Sequence, residues 1–145
     1  MHELDHISLR CVAARLADRP QAPASDIDVR RLGGPTLITL RGEFDLLAAP
    51  ALRQTLDIAT TARSPRIVID LRSTRFFDCS ILSVLLRARR RALERGGGFA
   101  VICVRPSHLR LLSAADLSTV LAPVGTLQQA LIATVPSRDR GRDGP

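Results

Sequence analysis

Residues 26–134 predict one α/β domain, a mixed four- to five-stranded β-sheet with α-helices packed mainly on one face. Three observations lead there. Two strand-like runs, 27–32 and 36–41, flank Gly33, Gly34 and Pro35, a turn-forming cluster that suits an antiparallel pair. Two short apolar runs, 66–71 and 99–104, have the composition of strands covered on both faces. Helical patterns alternate with those runs, and such alternation builds a layered domain of sheet and helix.

The first 25 residues read as an extension and linker. Leu4, Ile7, Cys11 and Ala14 recur at helical spacing, and Pro20 and Pro23 among small residues then oppose both helix and sheet. After the strand pair, the run from Gly42 to Asp45 breaks the second strand. Pro50 suits the first turn of a helix, where its missing N–H costs little. That helix is expected to run to about Ala62, with Leu52, Leu56 and Ala59 inward, until Ser64 and Pro65 stop it. Residues 72–77 read as a loop.

The longest helix is expected from Cys79 to about Arg95. Ile81, Val84, Leu85, Ala88 and Ala92 share one face, with Leu82, Leu86 and Leu93 beside them. Ser83, Arg87, Arg90, Arg91 and Glu94 fall on the opposite arc, the pattern of a solvated face. Arg89 lies within the apolar arc; it either snorkels outward or marks an exposed contact patch. Gly96, Gly97 and Gly98 end the helix. Pro106 opens a short helix through Leu112 on which His108 reads as a surface residue. Residues 118–121 read as a last short strand. Thr126 caps a final helix over 127–133, because its hydroxyl accepts an orphan amide. Residues 135–145 have little to bury and are expected to be disordered.

Composition narrows the function. The chain has 145 residues, enough for one domain with its own core. Its net charge is +7, and all 21 basic residues are arginine. Tyr and Trp are absent and the arginines interleave with acids, so a direct nucleic-acid partner is not expected. Cys11, Cys79 and Cys103 are spaced for neither a disulfide framework nor a metal site. No cofactor or metal is expected. No apolar run approaches about 18 residues, and Glu3, Asp5 and Arg10 interrupt any signal-like start. The expectation is a cytoplasmic protein, away from membranes, that is a monomer or weak homodimer.

Two short stretches carry the candidate chemistry. Arg41, Gly42, Glu43, Phe44 and Asp45 lie at a strand exit before a helix. Phe76, Phe77, Asp78, Cys79, Ser80, Ile81 and Leu82 lie where a loop enters a helix. With their strands adjacent, both stretches fall at one end of the sheet. Asp45 and Asp78 as a carboxylate pair suggest acid–base work, but no His or Lys accompanies them. Asp78 reads equally as a helix N-cap. No glycine-rich phosphate loop follows a strand, so no catalysed reaction is expected of this chain.

From about Asp26 to Ala133 the sequence resembles the STAS domain of bacterial anti-sigma factor antagonists. Leu40, Arg41, Gly42, Glu43, Phe44 and Asp45 look like that family's hydrophobic–x–G–E–hydrophobic–D segment. The run from Phe77 to Leu86 is similar to its D–S–[ST]–G–L–G phosphorylation loop, and Arg95, Gly96 and Gly97 followed by Phe99 match its glycine stop and next strand. The resemblance implies a partner switch. An unphosphorylated antagonist captures an anti-sigma factor that is also a serine kinase, and phosphorylation of the first hydroxyl after the loop Asp releases it. It further implies that Asp45, Asp78, Cys79, Ser80, Ile81, Ser83 and Arg87 meet the partner.

The sequence departs from that pattern at the acceptor itself. Cys79 holds the family's serine position and has no hydroxyl, while Ile81 and Ser83 replace the two glycines. Ser80 keeps the neighbouring hydroxyl as a candidate phosphorylation site. Three readings stay open: a switch at Ser80, a non-phosphorylatable STAS scaffold in a signalling assembly, or loss of kinase binding through the branched Ile81. Cys79 reads either as a small semi-buried stand-in for serine or as a thiol sensor. The helix dipole favours the thiolate there and Asp78 opposes it.

Overall fold

The computed structural model describes residues 6–10, for backbone only, and 25–136. Its strands are β1 (His6–Arg10), β2 (Asp26–Arg31), β3 (Pro35–Phe44), β4 (Arg66–Asp70), β5 (Thr74–Phe77) and β6 (Gly98–Ile102). Its helices are α1 (Ala49–Ala59), α2 (Cys79–Glu94), α3 (Pro106–Ala114), α4 (Ser118–Leu121) and α5 (Leu127–Ala133). The sheet runs β1-β2-β3-β4-β6, with β5 joined to β3 off that path. β1, β2 and β3 pair antiparallel; β4, β5 and β6 join in parallel. The sheet is therefore mixed, as expected.

The central strands are covered on both faces. Ile67 and Ile69 of β4 enter a core with Leu52 and Leu56 of α1 and Ile81 and Leu85 of α2. Val68, between them, points the other way and joins Ala100, Ile102 and Ala130 under α5. This is the period-two alternation of a strand between two layers. Each fully buried Leu or Ile removes enough apolar area to contribute about 1.5–3 kcal/mol. α1 to α4 serve the larger core and, among the described helices, α5 covers the second face. Thr126 caps α5 in a reciprocal capping box with Gln129.

Five expectations are corrected. Ile7 lies in β1, where it pairs with Val29, and not on a helix; Cys11 and Ala14 lie outside the described residues. The strand through Gly42 does not break. Gly42 adopts φ 97° and a bulge follows it, so β3 bends and continues to Phe44. Residues 74–77 are the strand β5, which takes the edge of β3 that β4 leaves. Buried Thr74 seals the junction by donating to the Leu40 carbonyl at 2.6 Å. Residues 118–121 form a helical turn closed by left-handed Ala122, and Val124 makes the bridge to Ile102 instead. Finally, Arg87 and Arg91 do not form a solvated face. Arg87 grips Asp57 of α1 at 3.1 and 3.3 Å, and Arg91 donates to Thr60 at 2.9 Å. The Arg87 hydrogen bond and nearby guanidiniums hold the Asp57 carboxyl below its usual range, against its partial desolvation. The expected tail beyond residue 136 lies outside the described residues.

Candidate functional site

The site grows from the far ends of β3 and β5. The bulge at Gly42 lets Phe44 turn into the core, where it sits in register with Phe77 of β5. Asp45 ends the strand. Its carboxylate accepts from the Leu47 amide at 3.0 Å and its carbonyl accepts from Ala48 at 3.0 Å, a tight turn that starts α1. That turn drives Leu46 and Leu47 outward, 69% and 52% exposed. Pro50 lies in the first turn of α1, as its fixed φ favours.

The second segment arrives beside the first. Alternation along β5 buries Phe77 and leaves Phe76 49% exposed. Asp78 takes an extended conformation, φ −112° and ψ −175°, and caps α2 by accepting from the Ser80 amide at 3.0 Å. Its own amide donates to the Phe44 carbonyl at 3.3 Å. The two stretches therefore meet at one end of the sheet.

The geometry sorts the predicted residues. Asp45, Cys79 and Ser83 are exposed, and Asp78 and Ser80 are half-buried. Cys79 is thus a surface thiol and not a semi-buried stand-in. The Ser80 hydroxyl donates to the same Asp78 oxygen that caps the helix. Ser83 sits one turn on, its hydroxyl 3.4 Å from the Cys79 carbonyl. Ile81 is fully buried in the core, so its side chain is withheld from any docking surface. Arg87 is committed to Asp57 while staying partly exposed. Arg89 is half-buried.

Asp78 accepts from both the amide and the hydroxyl of Ser80, so one carboxylate faces the positive end of α2 and holds the hydroxyl proton, the placement a base would need if that oxygen acted as a nucleophile. A phosphoryl group on Ser80 would break its bond to Asp78 and set two anions side by side. Among the described residues, no three His, Cys, Asp or Glu side chains are placed to hold a metal.

Leu46 and Leu47, outside both candidate stretches, stand exposed beside them, and Phe76 is the residue of the second stretch that faces outward. Their signal was present. Two leucines between a strand exit and a proline-led helix have no interior to fill, and a Phe pair in a strand must put one ring outside. His108 needs correction too. It is 4% exposed, its ring lies 4.7 Å from that of Phe77, and its Nε2 is 3.4 Å from the Arg75 carbonyl.

Known proteins share this domain. A domain profile described as "Mlab, STAS domain" matches residues 27–125. An anti-sigma F factor antagonist of Paenibacillus polymyxa is 30% identical over 96 residues, spanning 66% of this chain and 82% of the relative. The crystal structure of an anti-sigma factor antagonist from Mycobacterium paratuberculosis superposes with a TM-score of 0.67 at 28% identity, covering 74% of this chain and 92% of that one. A STAS-domain protein of the same description from Planctomyces limnophilus gives 0.66 at 26%, covering 74% and 96%.

Proposed function

The chain belongs to the STAS-domain family of anti-sigma factor antagonists, and from that premise we propose that it binds an anti-sigma factor of the serine-kinase type. The docking surface is the patch formed by Asp45, Leu46, Leu47, Phe76, Asp78, Cys79, Ser80 and Ser83. One observation carries this reading: the 3.3 Å bond from the Asp78 amide to the Phe44 carbonyl, which fuses both motif segments into one surface. The two segments expose three large apolar side chains, Leu46, Leu47 and Phe76, together with the carboxylate of Asp45, the mixture of apolar and charged groups found at protein interfaces. In this reading the chain catalyses nothing, and any ATP chemistry is the partner's.

The exposed Cys79 favours a second reading within the same surface. No hydroxyl stands at the family's acceptor position, and the Ser80 hydroxyl is already bound by Asp78. The domain then acts as a binding module that does not cycle. Incubation with the cognate kinase and ATP, followed by intact mass and a binding measurement, separates the two. One phosphoryl group on Ser80 with loss of binding supports the switch. Unchanged mass with retained binding supports the module. Absence of any kinase-type anti-sigma partner in a native pull-down removes both.

A further inference from the structure

A cavity of about 610 Å³ opens at the opposite pole, between the β2–β3 turn and the C-terminal end of α1. Arg66 at its floor opens β4 opposite Pro35, whereas the patch above sits at the Phe44 end of the ten-residue β3. At the rise of an extended strand the two lie roughly 30 Å apart. The cavity is of the size that takes a small organic ligand.

Its lining is one-sided in charge. Arg31, Arg63 and Arg66 contribute guanidiniums, and among the described residues no Asp or Glu lines the space. Arg31 and Arg63 are exposed and form no ion pair among the described residues. Arg66 is half-buried and pre-positioned. Its Nε donates to the Thr134 hydroxyl at 3.3 Å and its Nη2 to the Leu131 carbonyl at 3.0 Å. Its Nη1 faces Gly34, where an added Cβ would stand 3.8 Å away. The rest of the wall includes Val29, Ile58 and Pro65, an apolar surface beside the cations.

One feature opposes an anion: the C-terminal end of α1, worth about half a negative charge. Two of its carbonyls are already engaged. The Thr60 hydroxyl donates to Leu56 O at 2.8 Å and the Thr61 hydroxyl to Ile58 O at 2.7 Å. Three whole positive charges outweigh that residue of dipole, and guanidiniums bind carboxylate and phosphate oxygens in forked pairs. We infer that this cavity is a binding site for a small organic anion, a carboxylate or phosphate monoester head with a short apolar body. The head lies among Arg31, Arg63 and Arg66, and the body against Val29, Ile58 and Pro65.

The test uses the full chain, 15N-labelled, titrated with hexyl phosphate, hexanoate, hexanol and inorganic phosphate and followed by amide shifts. The expected result is saturable movement of Gly33, Gly34, Ala62 and Ser64 with hexyl phosphate or hexanoate, and the stronger of the two identifies the head group. Hexanol and inorganic phosphate each bind at least about tenfold more weakly, since each lacks half of the recognition. The double variant Arg31→Ser/Arg63→Ser weakens the anion about tenfold or more with an unchanged melting temperature. Ala62→Trp, which fills the mouth, blocks binding and serves if the double variant is unstable. Hexanol binding as tightly as the anions, unchanged binding in both variants, or shifts confined to other surfaces overturns the inference. No sigma-regulatory partner enters the measurement, so its failure leaves the function proposed above untouched.

Discussion

The backbone amide of Asp78 donates to the carbonyl of Phe44 at 3.3 Å, and this bond ties the start of α2 to the end of β3. The carboxylate of the same residue caps α2. Cap and charge are separable by substitution. Asp78→Ala is expected to destabilise the domain by about 1 kcal/mol, the usual cost of a lost N-cap. Asp78→Asn keeps a side-chain acceptor and is expected to stay within about 0.5 kcal/mol of the parent. Urea unfolding of the two variants checks this. If the proposed interface is right, both lose affinity for the partner, which marks the lost charge as the part that matters there.

Leu46, Leu47 and Phe76 are 69%, 52% and 49% exposed, so each gains only part of what a core side chain gains by burial. Leu46→Ser/Leu47→Ser and Phe76→Ser are each expected to cost no more than about 1.5 kcal/mol of stability. The same changes are expected to weaken partner binding about tenfold or more, as loss of an interface's apolar anchors does. Thermal melts beside a calorimetric titration with the captured partner decide it. A larger loss of stability together with loss of binding would show these side chains serve the fold instead.

Cys79→Ser restores a hydroxyl at the family's acceptor position. The side chain is exposed, so the fold is expected to be unaffected. With a cognate serine kinase and ATP, the variant is expected to gain one phosphoryl group that the parent does not carry at residue 79. Intact mass and peptide mapping read the outcome.

His108 makes stability depend on pH. Burial, with a smaller contribution from the charge of Arg105, holds its imidazole below the ordinary 6.5, although the Arg75 carbonyl pulls the other way. The unfolded chain therefore binds a proton at higher pH than the folded one. Stability from this residue is present above about 6.5 and is lost as pH falls through that value toward the lower folded pKa. His108→Leu is expected to flatten this part of the profile. Denaturant unfolding between pH 7.5 and 5, at about half-unit intervals spanning the His titration range, tests the slope.

Gly98 has no room for a side chain. A Cβ there would lie 2.2 Å from the Thr134 carbonyl oxygen, in backbone that cannot swing aside. Gly98→Ala is expected to cost about 2 kcal/mol or more through displacement of β6 from the end of α5. Equal melting temperatures for variant and parent would contradict that packing.

Much of the sheet and both motif segments were legible because their signals are local. The apolar run over 66–71, the helical face from Ile81 to Ala92 and the proline and threonine caps need no partner to be read. What escaped depends on distant residues. β5 is only four residues long and becomes a strand because β3 offers it an edge beyond Gly42. A glycine within a strand looks like a stop and is here a bend. Arg87 and Arg91 look solvated until α1 brings Asp57 beside them. His108 follows a proline at a helix start, a surface position until Phe77 arrives from β5. The inward Ile81 was visible from its helical spacing, and that spacing conflicts with the contact role its motif position implied.

β3 divides one of its edges between two neighbours, holding β4 along Pro35 to Thr39 and β5 from Gly42 onward. The ladder that organises the interior thus ends before the ladder that presents the acidic, thiol-bearing tip begins. A displacement of β5 and the first turn of α2 breaks three residue pairs, the Thr74–Leu40 bond and the Asp78–Phe44 bond, and also pulls Phe77 and Ile81 from the core they share with β4. The tip thus has a ladder of its own but shares its interior with the frame, so a pull on it is felt by the buried side chains beneath.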